Sequence, residues 1–109
     1  SRGLPKNGHP KLAAIMSAVA LHTGVSVMEI RSDRRTKHTV YARHLYCYLS
    51  RLMTTMSYPF IARMIKRDHT TVINSFNRIE GWLSAGKPGV SEDVEAIKAL
   101  IYTFAEDNT

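Results

Sequence analysis

The run RDHTT at positions 67–71 combines side chains that can read nucleic-acid bases. Threonine offers a hydroxyl to base edges and a methyl to the thymine methyl group, and aspartate can accept from the cytosine amine. Histidine can donate to the N7 and O6 acceptors or to a phosphate. At the start of a helix, unpaired N–H groups also favour a phosphate. The simpler alternative is that Asp68 only caps a helix and that both threonines are ordinary solvated residues.

The spacing around this run predicts a helix-turn-helix. Residues 57–64 form the first predicted helix, with Ser57 as N-cap and Pro59 in the first turn, where a missing N–H matters little. The second predicted helix is capped by Asp68, and its apolar stripe for a core is Val72, Phe76, Ile79 and Leu83. The opposite side carries Arg67, Thr70, Asn74 and Arg78. Such a helix is typical of a recognition helix that enters a DNA major groove.

The hexapeptide RDHTTV, with Ala62, Ile65, Ser75 and Ile79 around it, closely resembles the signature of the C-terminal DNA-binding domain of DnaA, the bacterial initiator of chromosome replication. The resemblance extends upstream through SDRRTKHTVYARHLYCYLSRLM and covers roughly residues 12–101. It implies an all-α, compact multi-helix domain with a helix-turn-helix, similar to the Trp repressor. It also implies that the domain binds double-stranded DNA at a short asymmetric site, the DnaA box, as a monomer.

The same resemblance implies contacts outside the hexapeptide. It places a minor-groove arginine at Arg35, with Arg34 beside it, and it matches Arg43 and Arg51 to basic DNA-contacting positions. Since Arg43, Cys47 and Arg51 also lie at i, i+4 and i+8 of a predicted helix over 36–53, we expect them to face away from the core. The predicted core stripe of that helix is Tyr41, Leu45, Tyr48, Leu49 and Leu52.

Four further positions depart from the family or complete its pattern. Tyr58 and Pro59 stand where the family commonly has an apolar residue and a proline that touch DNA. His44 replaces the usual glutamine, which leaves its DNA contact open. Lys66 stands in a turn that is shorter than in relatives, where a glycine often precedes the arginine, and this leaves the preferred DNA sequence open. The predicted DNA-binding residues are Arg34, Arg35, Arg43, His44, Arg51, Tyr58, Pro59, Lys66, Arg67, Asp68, His69, Thr70, Thr71 and Asn74.

The charge is concentrated around these positions. Residues 31–78 hold ten Lys or Arg against two acids, a net charge of +8, whereas the rest of the chain carries −2 and the whole chain +6. Such a cluster is the expected footprint of a phosphate-binding face. A solvated basic surface is the alternative.

The other predicted helices cover 11–23, 26–30 and the segment after Ser91. Residues 1–10 hold two glycines and two prolines and predict a flexible lead-in, and 106–109 predict a frayed tail. The predicted DnaA-like domain is therefore 11–105, one domain's worth of chain.

Several function classes are disfavoured. There is no Gly-rich phosphate loop, so we expect no nucleotide site, and the single Cys47 excludes an internal disulfide or a multi-cysteine zinc site. The five histidines lack metal-ligand spacing, so we expect no metal, no cofactor and no enzyme activity. No apolar run could span a membrane and no signal peptide is evident, and we expect a cytoplasmic protein.

Three alternatives to an initiator domain stay open. The first is a stand-alone phage or mobile-element regulator that binds the same DNA sites. The second is a protein-docking module whose basic face meets an acidic partner. The third is an enzyme that uses Cys47 with a histidine, or a metal bound by histidine.

Overall fold

The computed structural model describes residues 9–107, and within this range the secondary structure consists of helices without strands. The six α-helices are α1 (Leu12–Thr23), α2 (Val27–Ile30), α3 (Lys37–Met53), α4 (Tyr58–Arg63), α5 (His69–Ser84) and α6 (Val90–Asp107). The prediction of an all-α, multi-helix fold is confirmed. Residues 1–8 of the expected lead-in and 108–109 of the expected tail lie outside the described residues, and the domain bounds stay predictions.

Side-chain caps fix where most helices begin. The hydroxyls of Ser26, Thr36 and Ser57 each accept from the backbone N–H three residues later, which satisfies one of the unpaired donors at a helix start. Ser26 and Ser57 are caps that the sequence predicts, and Thr36 is the first residue of the segment 36–53 that it predicts as a helix. At the last helix the prediction differs slightly, because α6 begins at Val90, one residue before Ser91.

α3 is the central helix, and it packs against α1, α2, α4, α5 and α6. Because neighbours surround it, buried residues lie around most of its circumference. The predicted single stripe is therefore wrong in part. Cys47 is fully buried instead of facing outward, and Leu52, expected in the core, is 45% exposed.

α4 and α5 pack on each other as the two helices of the predicted helix-turn-helix. The apolar stripe of α5 is confirmed, since Val72 and Ile79 are fully buried while Phe76 and Leu83 pack partly buried against the core. Phe76 also stacks on Tyr48 of α3, with ring centroids 5.0 Å apart. This contact fixes the back of α5 and leaves its polar side outward.

α6 lies mainly against α1. His22, expected to be a surface histidine, is tied to α6, because its Nε2 lies 2.7 Å from Oδ1 of Asp93. The hydroxyl of Tyr41 on α3 donates to the other oxygen of the same carboxylate at 2.6 Å. Asp93 thereby connects three helices, and this junction lies near the end of α1 and the starts of α3 and α6.

The turn between α4 and α5 is closed by a residue in a left-handed conformation. Lys66 has φ 56°, and within the described residues it is the one non-glycine residue with positive φ. For a residue with a Cβ this conformation costs roughly 1–2 kcal/mol, and glycine avoids that cost. Lys66 itself thus takes a backbone shape that glycine would favour.

We expect Lys66→Gly to raise the free energy of unfolding by up to about 1 kcal/mol in urea denaturation, because relief of the left-handed strain exceeds the entropy that glycine adds to the unfolded chain. Lys66→Ala is the matched control, since it removes the same ammonium group but keeps the Cβ. Equal stability of the two variants would contradict the strain at this position.

Candidate nucleic-acid interface

The first turn of α5 is organised by Asp68. Its Oδ1 accepts from the backbone N–H of Thr70 at 2.7 Å, and the Thr70 hydroxyl donates to the same oxygen. These bonds, that of the hydroxyl foremost, hold the pKa of Asp68 below its ordinary value of 3.8. Asp68 is therefore an ionised N-cap, as the sequence predicts.

The polar side chains at this helix start are accessible. His69, Thr70 and Asn74 are exposed, and Thr71 is partly exposed. The expected arrangement, an apolar back with a polar front at the amino end of the helix, is present. The helix start therefore offers donors, acceptors and methyl groups to a large ligand.

Arg43 does not face solvent, in contrast to the prediction from the sequence. It is only 5% exposed, and its guanidinium is bonded to main-chain carbonyls instead of facing solvent. Nε donates to the carbonyl of Ile30 at 2.7 Å, and Nη2 lies within 3.2 Å of the carbonyls of Glu29, Ser32 and Arg34. The prediction that Arg43 faces away from the core is wrong, because the central position of α3 buries this side chain beneath residues 31–36, which we call the basic loop, and the structure gives no support for a phosphate contact of its guanidinium.

A second arginine contacts the basic loop from the helix-turn-helix. Nη2 of Arg67 donates to the carbonyl of Ser32 at 3.1 Å, the same carbonyl that Arg43 reaches at 2.9 Å. Burial first, and then the neighbouring charge of Arg67, lowers the pKa of Arg43. The basic loop is thus attached to α3 and to the turn before α5, and the two predicted halves of the interface are neighbours in the fold.

The basic loop presents three arginines to solvent. Arg31, Arg34 and Arg35 are all exposed. Arg34 makes a surface ion pair with Glu29, its Nη1 lying 3.3 Å from a carboxylate oxygen. No hydrogen bond or ion pair within residues 9–107 ties the guanidinium of Arg35. The Arg35 guanidinium is therefore available to an external ligand.

His44 lies in a helix–helix contact. Its ring is half-buried, and Nδ1 forms a 2.8 Å hydrogen bond with the Ser75 hydroxyl of α5. The ring also meets Trp82 edge-on, with centroids 6.0 Å apart. Burial, followed by the charges of Arg78 and Arg43, lowers the pKa of His44. His44 is thus neutral at pH 7, and its Nδ1 serves the packing of α3 on α5, so the structure gives no support for a DNA contact through that atom.

A further group of predicted residues lies around the connection from α3 to α4. The guanidinium carbon of Arg51 lies 4.7 Å from the centroid of the Tyr58 ring, and its Nη1 donates to the Met56 carbonyl at 3.3 Å. Arg51 and Tyr58 are half-buried, and Pro59 is exposed. The cation–π contact and the carbonyl hold the Arg51 head group in place while part of it stays accessible.

Two residues with a part in this surface are absent from the predicted set. Ser75 is buried and anchors His44, and the helical spacing indicates this burial, because Ser75 lies one turn from both Val72 and Ile79. Arg78 is exposed on the outer side of α5, and its guanidinium carbon lies 5.9 Å from the Trp82 ring centroid. Arg78 extends the positive side of α5 beyond Asn74.

Other chemistry finds little support in residues 9–107. Among the described side chains, those of residues 9–104, no group of three or more His, Cys, Asp or Glu could hold a metal ion. Burial raises the pKa of the Cys47 thiol to about 12, and a buried protonated thiol is a poor nucleophile. No helix in the same range has the length and apolar character needed to cross a membrane.

The short α4, the tight turn and α5 with its exposed polar start, next to an arginine-bearing loop, define a helix-turn-helix domain with a basic face. Residues 12–79 match the family model described as the bacterial DnaA protein helix-turn-helix. The chain therefore belongs to the bacterial DnaA helix-turn-helix family, a class of DNA-binding domain.

Similar curated proteins support this assignment. The chain is 39% identical over 99 residues to the chromosomal replication initiator protein DnaA of Rhizobium johnstonii, covering 87% of this chain and 20% of that protein. It is 38% identical over 100 residues to the DnaA protein of Mesorhizobium japonicum, covering 88% and 20%. The chain thus spans about a fifth of the length of the curated relatives it matches.

We expect Arg43→Ala to lower the free energy of unfolding by about 2–4 kcal/mol, because it leaves several loop carbonyls without their charged donor. Arg43→Lys should recover only part of this loss, since an ammonium cannot reach carbonyls spread around a planar guanidinium. Urea denaturation measures both variants. Arg51→Ala is the control on the same helix and should cost less than about 1 kcal/mol; a cost equal to that of Arg43→Ala would contradict the assigned difference.

The lowered pKa of His44 predicts a pH dependence of stability. Protonation is less favourable in the folded chain than in the unfolded chain, so the stabilisation present above the ordinary value of 6.5 is lost as the pH falls through the lower folded pKa. We expect the free energy of unfolding of His44→Gln, relative to the unsubstituted chain, to rise as the pH falls below 6.5. Parallel stability curves for the two proteins would show that His44 is not desolvated.

Proposed function

We propose that this domain binds double-stranded DNA sequence-specifically at DnaA-box-like sites, in recognition of a replication origin or in regulation of replication initiation. The observation that carries the proposal is the accessible amino end of α5 beside the arginine-bearing basic loop, which Arg67 and Arg43 hold through the same Ser32 carbonyl. The names of the relatives, chromosomal replication initiators, support the proposed biological role.

In this proposal α5 reads the major groove. His69, Thr70 and Thr71 offer donors, acceptors and methyl groups to base edges, and Asp68 can accept from cytosine while it caps the helix. The Thr70 hydroxyl donates its proton to Asp68. Thr70 can therefore offer to bases its methyl group and the lone pairs of its hydroxyl oxygen. Asn74 lies one turn further along the exposed side.

The cations set the position of the domain on the duplex. Lys66, Arg67, Arg51 and Arg34 are proposed to contact phosphates, which adds affinity without reading sequence. Arg35 is proposed to enter the adjacent minor groove, where a narrow A/T-rich segment attracts a guanidinium. Tyr58 and Pro59 are proposed to contact the sugar-phosphate backbone of the DNA beside the phosphate that Arg51 binds. Arg43 has no direct contact in this scheme; it fixes the loop that carries Arg34 and Arg35.

A single recognition helix with an asymmetric partner loop favours one domain per asymmetric site. The proposal includes no cofactor and no catalytic step in this domain, and it places the domain in the bacterial cytoplasm, where chromosomal DNA lies.

We expect His69→Ala and Thr71→Ala each to reduce discrimination between a DnaA-box duplex and a scrambled duplex by roughly 1–3 kcal/mol, because each removes contacts to base edges. Arg51→Ala should instead weaken binding to both duplexes about equally. It should also lower the slope of the logarithm of the binding constant against the logarithm of the salt concentration by about one. Fluorescence anisotropy at several salt concentrations measures both effects. If His69→Ala weakens both duplexes equally, the base-reading role of α5 is wrong.

A further inference from the structure

A concave surface lies where the start of α3, the end of α5 and the start of α6 meet. Its volume is about 750 Å³, which is in the range of ligand sites. Its wall is aromatic and its rim is cationic, and we call it the aromatic groove. The residues that define it are Tyr41, His44 and Trp82 in the wall and Arg35, Lys37 and Lys87 on the rim.

The aromatic wall is built by contacts between rings. Tyr41 and His44 of α3 each lie 6.0 Å from the Trp82 ring of α5 by centroid distance. All three side chains are only partly buried, so part of each ring faces the groove. Packing against one another limits their rotation, and the groove is therefore formed in advance of ligand binding.

The rim supplies positive charge above this wall. Lys37 and Lys87 are exposed, and the ammonium of Lys87 is held 4.1 Å from the centroid of the Trp82 ring. The one carboxylate in the lining, Asp93, is already bonded to His22 and to the Tyr41 hydroxyl. An anionic group that enters the groove would therefore meet accessible cations and an acid whose charge is partly compensated.

We infer that the aromatic groove is a docking site for an acidic segment of a partner protein, with one apolar side chain of that segment seated against Trp82 and its carboxylates on Lys37 and Lys87. Charge complementarity and the concave apolar wall are the features that carry this inference. It goes beyond the proposed DNA binding, because Trp82, Lys37 and Lys87 do not belong to the proposed DNA contacts; Arg35 on the rim is the one groove residue that does, and the inference does not depend on it.

Nucleic acid fits the aromatic groove less well than such a segment. A duplex is convex and leaves a concave aromatic wall unfilled. A single strand would need a whole ring face on which to stack a base, and Lys87 already covers a face of Trp82 at 4.1 Å, whereas an aliphatic side chain needs only the part of the ring that stays exposed. A carboxylate, in contrast, binds Lys87 where it stands.

Trp82 provides a direct reporter, because it is the only tryptophan of the chain. The probes are fluorescein-labelled synthetic peptides in which glutamates flank one leucine, phenylalanine or methionine. Matched peptides carry glutamine for glutamate, or glycine for the apolar residue. Oligothymidylate and a DnaA-box duplex form the nucleic-acid arms of the same titration. Peptide anisotropy measures binding, and Trp82 fluorescence locates it.

We expect saturable binding of at least one glutamate peptide that shifts Trp82 fluorescence and weakens as salt is added. Binding should fall about tenfold in Lys87→Glu and in Lys37→Glu, a loss of about 1.4 kcal/mol. Lys11→Glu, which makes the same charge change at an exposed lysine outside the groove, should leave peptide binding unchanged. All three variants should bind the DnaA-box duplex with an affinity within about twofold of that of the unsubstituted chain, because none of these lysines is among the proposed phosphate contacts.

The inference is overturned if no glutamate peptide binds, if glutamine peptides bind equally well, or if Lys11→Glu lowers peptide binding as much as Lys87→Glu. Oligothymidylate that shifts Trp82 fluorescence while the peptides are silent would make the groove a single-strand site instead. Because duplex binding is measured on the same variants, loss of the docking site and failure of the proposed DNA binding give separate results.

Discussion

The interface depends on one buried guanidinium. Arg43 donates to main-chain carbonyls on both sides of the bend between α2 and α3, and Arg67 reaches the Ser32 carbonyl from the helix-turn-helix. Backbone carbonyls buried near a helix junction require donors, and a planar guanidinium can serve several at once. This arrangement makes the basic loop and the start of α5 parts of one rigid surface. Without it, Arg34 and Arg35 would lie on a free loop, and ordering that loop on DNA would reduce affinity.

Much of the fold follows from short-range sequence rules. The caps Ser26, Thr36 and Ser57 mark helix starts, and the apolar stripe of α5 identifies the side that faces the core. The helix-turn-helix and the exposed polar side of α5 are therefore predictable from local spacing and capping residues alone. The exposure of His69 and Thr70 follows from the same periodicity.

The burial of residues on the central helix α3 could not be predicted from local spacing. Periodicity assumes one buried side, but α3 has neighbours on most sides, so Arg43 and Cys47 are buried although they lie opposite the predicted stripe. Nothing in the spacing shows that the four carbonyls around Arg43 lie close together, because they come from a bend whose path depends on tertiary contacts. His44 is similar: its environment is set by Ser75 and Trp82, which are distant in sequence.

The central claim is that the amino end of α5 and the basic loop together face the DNA. Titration of the isotopically labelled domain with a DnaA-box duplex, followed by backbone amide NMR, tests it directly. The account predicts that the largest chemical-shift changes fall within residues 31–36 and 66–74, with small changes along α6. Saturable binding whose largest changes lie on α6 or α1, with residues 66–74 unaffected, would contradict it.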